Sequence, residues 1–274
     1  MIQRKTTGSM VCPGCGRLIS VNAQECIHCG RKNPGLWGYS PAIKKLLGGA
    51  PGVITLLTGA CIILYVISIL LDVSALLQPR GLFGLLAPDD QALYRMGMTG
   101  RYMIAQGKWW TLITAIYLHG GVLHILFNVL WLRQLGYMVQ ELFGSSRTFL
   151  LFTLTGVAGF VASTLLSPYP TIGASGSIFG LLGALVYYGR KRGGQFGTAI
   201  YRQVGSWALV MFLFGFMMPA VNNLAHAGGF IGGYLFAGLL GYQERSRETA
   251  GHRFMAMIAL GVTIGSFLLS FLGK

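Results

Sequence analysis

Apolar residues in this chain come in long blocks separated by short polar stretches. Blocks of roughly 16 to 22 residues fall at 51–71, 117–138, 148–167, 174–189, 205–220, 224–242 and 253–272. An apolar run near 20 residues is long enough to cross a hydrocarbon core as a helix. The pattern therefore predicts seven membrane spans. Pro51 stands where a helix start tolerates proline, and Asp72 closes the first span. The fourth and fifth spans are the short ones. Short spans suit helices whose ends are sunk beside a water-filled cavity. Segment 72–110 mixes Arg80, Asp89, Asp90, Arg95, Arg101 and Lys108 with Leu82, Phe83, Leu85 and Leu86. It is too interrupted to span and is expected to lie in the interface plane, with Trp109 and Trp110 at headgroup level.

Charge orients the spans. With the N-terminus inside, the inner segments hold 16 of the 21 Lys and Arg, and the outer connections 168–173 and 221–223 hold none. That is the positive-inside pattern. It also accounts for the net charge of +14 without a nucleic-acid partner, and none is expected. The N-terminus is expected in the cytosol and the C-terminus outside. Only 10% of residues are charged, against roughly 25% in soluble domains. The 41 glycines fit a chain whose helices pack backbone to backbone. The N-terminus has no apolar core of the kind a signal peptide needs, since Pro13, Gly14 and Gly16 interrupt it.

Four of the five cysteines lie in two C-x-x-C knuckles, Cys12–Cys15 and Cys26–Cys29. Four thiolates at this spacing suit a tetrahedral ion, and Gly16 and Gly30 permit the tight turn after each knuckle. A structural zinc is expected on Cys12, Cys15, Cys26 and Cys29. The set leaves no open ligand position, so the metal is not expected to serve catalysis. A ribbon without metal, or a redox dithiol, is the alternative. His28 reads as a bystander.

Polar residues inside spans are costly and therefore informative. The second span carries His119, His124 and Asn128, the fourth begins at Ser175, and the sixth carries Asn222, Asn223 and His226. All three spans run from outside to inside, so these residues share one depth near the outer face. Gly176 and Gly180 on one helix, with the pairs 228/232 and 229/233 on another, permit a close crossing that carries Ser175 toward His226. Serine needs an adjacent base to act as a nucleophile, and His226 is placed to be that base. With no acidic residue near in sequence, the pair reads as a dyad. His124 and Asn128 share a helical face and suit an oxyanion. His119 and His124, five apart, do not share a face. Each residue taken alone is also compatible with helix packing or interhelical hydrogen bonding.

Gly173-Ala174-Ser175-Gly176, His119-x4-His124-x3-Asn128 and Ala225-His226-x2-Gly229-x3-Gly233 together resemble the rhomboid intramembrane serine proteases over about residues 51–242. The resemblance implies an all-α polytopic fold: a six-helix bundle with a short central helix, here with one further C-terminal transmembrane helix and the four-cysteine ribbon in front. It implies Ser175 as nucleophile and His226 as base. His124, Asn128 and the Ser175 N–H would form the oxyanion site. His119 and Asn223 would support it, and Glu141 matches an acidic residue at the inner end of the second helix. No catalytic cofactor is implied. The implied substrates are single-span membrane proteins, cut near the outer face of a bacterial inner membrane. Two positions depart from the pattern. Thr111 follows Trp110 where Arg is usual, which bears on how the 72–110 loop is anchored. Phe179 replaces a frequent Tyr and can still stack on His226. The organisation expected is a cytosolic head at 1–35, a linker at 36–50, the membrane core at 51–242 and a loop plus seventh helix at 243–274. Two other functions compete: a catalytically inactive relative that binds membrane clients, and a transporter, which would place charges at mid-membrane.

Overall fold

The computed structural model describes residues 7–12, 15–35, 52–73, 81, 84–218 and 221–272. The linker at 36–50, Pro51, Arg80, Leu82, Phe83, Pro13, Gly14 and Lys274 lie outside the described residues. The chain divides into two compact units, Met1–Gly52 and Val53–Lys274.

In the first unit, β1 (Ser9–Val11) pairs antiparallel with β2 (Leu18–Ser20) in the register Ser9–Ser20, Met10–Ile19, Val11–Leu18. The strands are too short to hold a sheet alone. Ile19 packs with Cys12, Cys26 and Met10 into a small core.

The second unit is helical. Seven helices of at least 18 residues are described: α1 (Val53–Leu71), α5 (Val122–Phe143), α6 (Ser145–Leu166), α7 (Ser175–Arg192), α8 (Gly194–Phe216), α9 (Asn223–Leu240) and α10 (Ala250–Leu272). Between α1 and α5 lie the short helices α2 (Asp90–Arg95), α3 (Arg101–Ala105) and α4 (Thr111–Thr114), the last running into a 3-10 turn at Ala115–Tyr117. Five helices are long and apolar enough to cross a membrane: α1, α5, α6, α8 and α10. The chain is an integral membrane protein.

The other two long helices, α7 and α9, have 18 residues each, about 27 Å of helix. Helix α7 is enclosed on all sides, whereas α9 also turns Ile231, Leu235 and Leu239 outward. On α7 every residue from Gly176 to Gly189 is buried, and the helix packs against α6, α8 and α9. A central helix needs neighbours that come close on every side, and glycine supplies the room. A Cβ on Gly229 would run into the Gly176 carbonyl, and one on Gly233 into the Gly180 carbonyl. Gly228 and Gly232 instead meet Ala158, Ala162 and Gly159 of α6. The two glycine ridges of α9 thus serve two different neighbours.

The connections before α6 and before α10 are tied by a fully buried arginine. Arg147, at the start of α6, donates through its guanidinium to the Ser246 carbonyl (2.9 Å), the Ser246 hydroxyl (3.1 Å) and the Arg247 carbonyl (3.3 Å). Its backbone N–H donates to Glu248 Oε1 at 2.8 Å. These bonds anchor the connection that leads into α10.

Two boundaries and the place of one charge differ from the hydrophobic pattern. The second span begins at Val122, not 117, because Ala115–Tyr117 turns as a 3-10 segment and Gly121 precedes the helix. His119 therefore lies on the approach to α5, not on it. The fifth span is not short. Helix α8 has 23 residues and begins straight after Gly193, whose φ of 65° breaks α7 from α8. The polar residues Gln195, Arg202 and Gln203 are inside this helix. Arg133, placed by the pattern at the inner end of its span, lies mid-way along α5, exposed, with its guanidinium 6.0 Å from the Tyr137 ring.

Candidate active site

Ser175 is the first residue of α7, half-buried, with Ala174 as N-cap. The first bond of the helix is Ile178 N–H to the Ala174 carbonyl at 2.9 Å. The N–H groups of Ser175, Gly176 and Ser177 precede it and have no partner within the helix, as at any helix start. They concentrate partial positive charge beside the Ser175 hydroxyl. Gly173, at φ 118°, makes the turn that delivers the chain to this point, and its N–H donates to the Ala115 carbonyl at 2.9 Å.

His226 is on the first turn of α9 and nearly buried. Phe179, one helical turn beyond Ser175, stacks flat on it, ring centroids 4.1 Å apart and planes within 13°. Gly176 meets the Ala225 carbonyl, and Gly229 the Gly176 carbonyl. These contacts bring Ser175 and His226 to one place between α7 and α9. Among the described residues no hydrogen bond joins the Ser175 hydroxyl to His226, and His226 Nδ1 is buried without a partner. The imidazole is therefore oriented by stacking on Phe179, in the absence of a carboxylate. Bonds of this kind are often long before substrate binds and tighten in the complex.

His124 occupies the first turn of α5. Its Nδ1 accepts from the Gly120 N–H at 3.3 Å. A neutral ring in that arrangement carries its proton on Nε2. That nitrogen lies against Gly173, where a Cβ would come within 2.6 Å of it. A donor is thus held two residues before Ser175. Asn128, one turn along α5, donates one amide N–H to the His124 carbonyl at 2.8 Å, and its Oδ1 is buried without a partner. Its second N–H is left for a ligand.

His119 is fully buried, 5.0 Å ring to ring from His124, with Nδ1 3.2 Å from the Tyr117 carbonyl. Nδ1 therefore carries the proton, and Nε2 is an unpartnered acceptor. Asn223 opens α9, three residues before His226. Its Oδ1 sits against Gly215 at the end of α8. The neighbouring Asn222 is the one tied into the bundle: it caps α9 through the Ala225 N–H (3.0 Å) and donates to Ser163 on α6 (2.6 Å). Glu141 is exposed near the inner end of α5, away from these residues in the sequence of the helix.

The loop before α5 is anchored in a way the sequence did not reveal. Thr111 is buried; its hydroxyl donates to the Lys108 carbonyl (2.7 Å) and lies 3.0 Å from the Thr99 hydroxyl, which donates to it. Arg101 reaches across instead, donating to the Thr164 and Leu165 carbonyls at the end of α6, at 3.1 and 2.7 Å. Thr99 and Thr171 exchange backbone bonds of 3.3 and 2.8 Å, so the loop pairs with the chain entering α7. Spacing gives no sign of the Arg101 and Thr99–Thr171 pairings, whose partners are more than 60 residues apart.

In the ribbon, the sulfurs of Cys12, Cys15, Cys26 and Cys29 all lie within 4.8 Å of one another. Cys12–Cys29 and Cys15–Cys26 are separated by 3.8 and 3.7 Å. A tetrahedron with metal–sulfur bonds near 2.3 Å has an edge of about 3.8 Å, so the arrangement fits a four-thiolate ion. Both knuckles fold alike: Gly16 N–H donates to the Cys12 carbonyl and Gly30 N–H to the Cys26 carbonyl, each at 2.9 Å, and both glycines have φ near 70°.

Comparison with known proteins matches residues 106–243 to the family model described as the Rhomboid domain. Rhomboid protease GluP of Bacillus subtilis (strain 168) is 37% identical over 184 residues, which span 66% of this chain and 35% of that protein. RHOMBOID-like protein 5 of Arabidopsis thaliana is 32% identical over 167 residues, 57% of this chain and 52% of that protein. Putative rhomboid protease YdcA of Bacillus subtilis (strain 168) is 31% identical over 170 residues, 61% of this chain and 85% of that protein. The chain thus spans about a third of the first relative and half of the second.

Proposed function

The chain belongs to the rhomboid family, and from that premise we propose that it is an intramembrane serine endopeptidase working through Ser175 and His226. The observation that carries this reading is the stacking of His226 on Phe179, one turn beyond Ser175, at 4.1 Å. It is supported by the glycine contacts that draw α7 and α9 together at the same level.

In this mechanism the Ser175 hydroxyl attacks the scissile carbonyl carbon while His226 takes its proton. The carbonyl oxygen gains negative charge. The Ser175 N–H at the helix start, His124 Nε2–H and the second N–H of Asn128 supply donors for it. His226 then returns the proton to the leaving amine, which releases the first product and leaves an ester on Ser175. Water, deprotonated by His226, hydrolyses that ester. His119, and Phe179 by stacking, position the imidazoles. Asn223 is assigned a supporting role at the start of α9.

The substrates we assign are single-span membrane proteins. A helix exposes no carbonyl to attack, so the cut requires local unwinding, which Gly or Pro near the site favours. The basic residues support a cytosolic N-terminus and external C-terminus in a bacterial inner membrane, with the cut near the outer face. The ribbon is assigned one structural zinc on Cys12, Cys15, Cys26 and Cys29. The chemistry at Ser175 needs no cofactor.

The test is labelling of purified protein by a fluorescent fluorophosphonate, followed by peptide mapping. The modification is expected on Ser175 and absent from Ser175→Ala. Labelling elsewhere, or equal labelling of the variant, would refute the assignment.

A further inference from the structure

Helix α10 carries none of the candidate site residues. Among the candidate spans it is the least buried, and only Thr263 and Ser266 along it are fully covered. Yet its few inward residues recur at one spacing: Thr263, Ser266, Phe267 and Ser270, which is a single helical face. The Thr263 and Ser266 hydroxyls bond back to their own helix at 2.8 Å each, while the Ser270 hydroxyl oxygen is buried without a hydrogen-bond partner.

What the face touches is the approach to the site. The Phe267 ring meets the Tyr117 ring edge-on at 5.9 Å, and the Thr263 side chain lies against the Tyr117 hydroxyl. Phe267 also packs against two separate buried clusters. One is the main bundle core, and the other is the loop cluster of Leu93, Met96, Met98 and Leu118. Tyr117 belongs to the short turn Ala115–Tyr117, whose carbonyls hold two parts of the site. The Ala115 carbonyl accepts from Gly173, two residues before Ser175, and the Tyr117 carbonyl accepts from His119. The turn is only three residues long, and its Tyr117 ring is held between Phe267 of α10 and Phe152 of α6, the latter at 5.8 Å.

The geometry points to Phe267 of α10 as a positioning residue for the site. Through Tyr117 it holds the turn that sets both the oxyanion side, at Gly173 and His124, and the buried His119. Its effect on rate rests on the serine hydrolase reading above, while its effect on the turn does not.

The test uses the full chain in detergent with a fluorescent fluorophosphonate, resolving maximal labelling rate from probe affinity. Phe267→Ala removes the ring edge from Tyr117. The maximal rate is expected to fall about tenfold, with affinity within about twofold, because a misplacement well under 1 Å acts on the reacting geometry. Phe267→Leu is expected to recover most of the rate, and Met257→Ala, on the exposed side of α10, to match wild type. If Phe267→Ala does not fold, Phe267→Val carries the same prediction. Amide exchange at Gly173 is read in parallel and is expected to quicken in Phe267→Ala, since its bond to Ala115 loosens. Wild-type labelling kinetics with unchanged Gly173 exchange in the variant would overturn the inference. So would a rate loss matched by equal loss of affinity. If wild-type protein does not label at all, the hydrolase reading fails, and the Gly173 exchange alone decides this one.

Discussion

Replacing Gly229 by alanine puts one methyl group where α9 crosses α7. The new Cβ falls on the Gly176 carbonyl, with its carbon 2.8 Å and the Gly176 Cα 3.2 Å away. These neighbours are backbone in the first turn of the most buried helix and cannot rotate aside, so the helices must separate by on the order of 1 Å, which at an active site costs about a hundredfold in rate. Gly229 is one turn below His226, and Gly176 adjoins Ser175, so the separation opens the space between the two reacting groups. Overpacking of this kind also costs about 1–3 kcal/mol of stability. Gly205→Ala on α8 is the control, because its Cβ meets nothing within 4 Å. Fluorophosphonate labelling rates and thermal unfolding are measured for both variants in detergent. Gly229→Ala is expected to lose about two orders of magnitude in labelling while still unfolding cooperatively at a reduced temperature, and Gly205→Ala to match wild type. Labelling of Gly229→Ala at the wild-type rate would refute the argument that this crossing sets the Ser175–His226 geometry.

Three further outcomes are expected. Phe179→Ala removes the surface on which His226 lies and should slow labelling about tenfold, in line with about 0.5–1.5 kcal/mol for such a stack, whereas Phe179→Tyr keeps the ring and should retain activity. His226 must be neutral to accept the Ser175 proton, so activity is present at higher pH and lost once the pH is low enough to protonate the ring; a labelling rate that rises as the pH falls would contradict its role as base. Metal analysis of protein purified without chelator should give one zinc per chain, lost in Cys26→Ser, with Ser175 labelling retained because four thiolates leave the ion no open position.

The long helices and the convergence of three of them were legible because each rests on a pattern local in sequence. Apolar runs mark α1, α6 and α10. Glycines four apart on α7 and α9 mark the crossing, and the structure resolves which ridge meets which: 229 and 233 on α7, 228 and 232 on α6. Phe179 on His226 was legible for the same reason, being one turn from Ser175. What was not legible depends on long-range pairing or on backbone conformation. The apolar residues Ile116, Tyr117 and Leu118 extend the hydrophobic run of α5, so nothing in their side chains announces that they turn before Gly121 and leave His119 off the helix. The amphipathic first half of α8 falls below a membrane-span pattern because Gln195, Arg202 and Gln203 interrupt it. Arg101 looked like a loop charge, and its role in holding the loop to α6 follows only from carbonyls at 164 and 165. The four-cysteine cluster was legible as well, since two C-x-x-C knuckles are local in sequence and their four sulfurs lie within 4.8 Å of one another.

The central claim, that this chain hydrolyses peptide bonds of membrane proteins with Ser175, is tested most directly by co-reconstituting it in liposomes with single-span substrates and measuring their cleavage. Wild type is expected to cut at least one substrate within or beside its membrane segment, near the outer face, and Ser175→Ala to leave every substrate intact. Cleavage by Ser175→Ala at the wild-type rate would contradict the account.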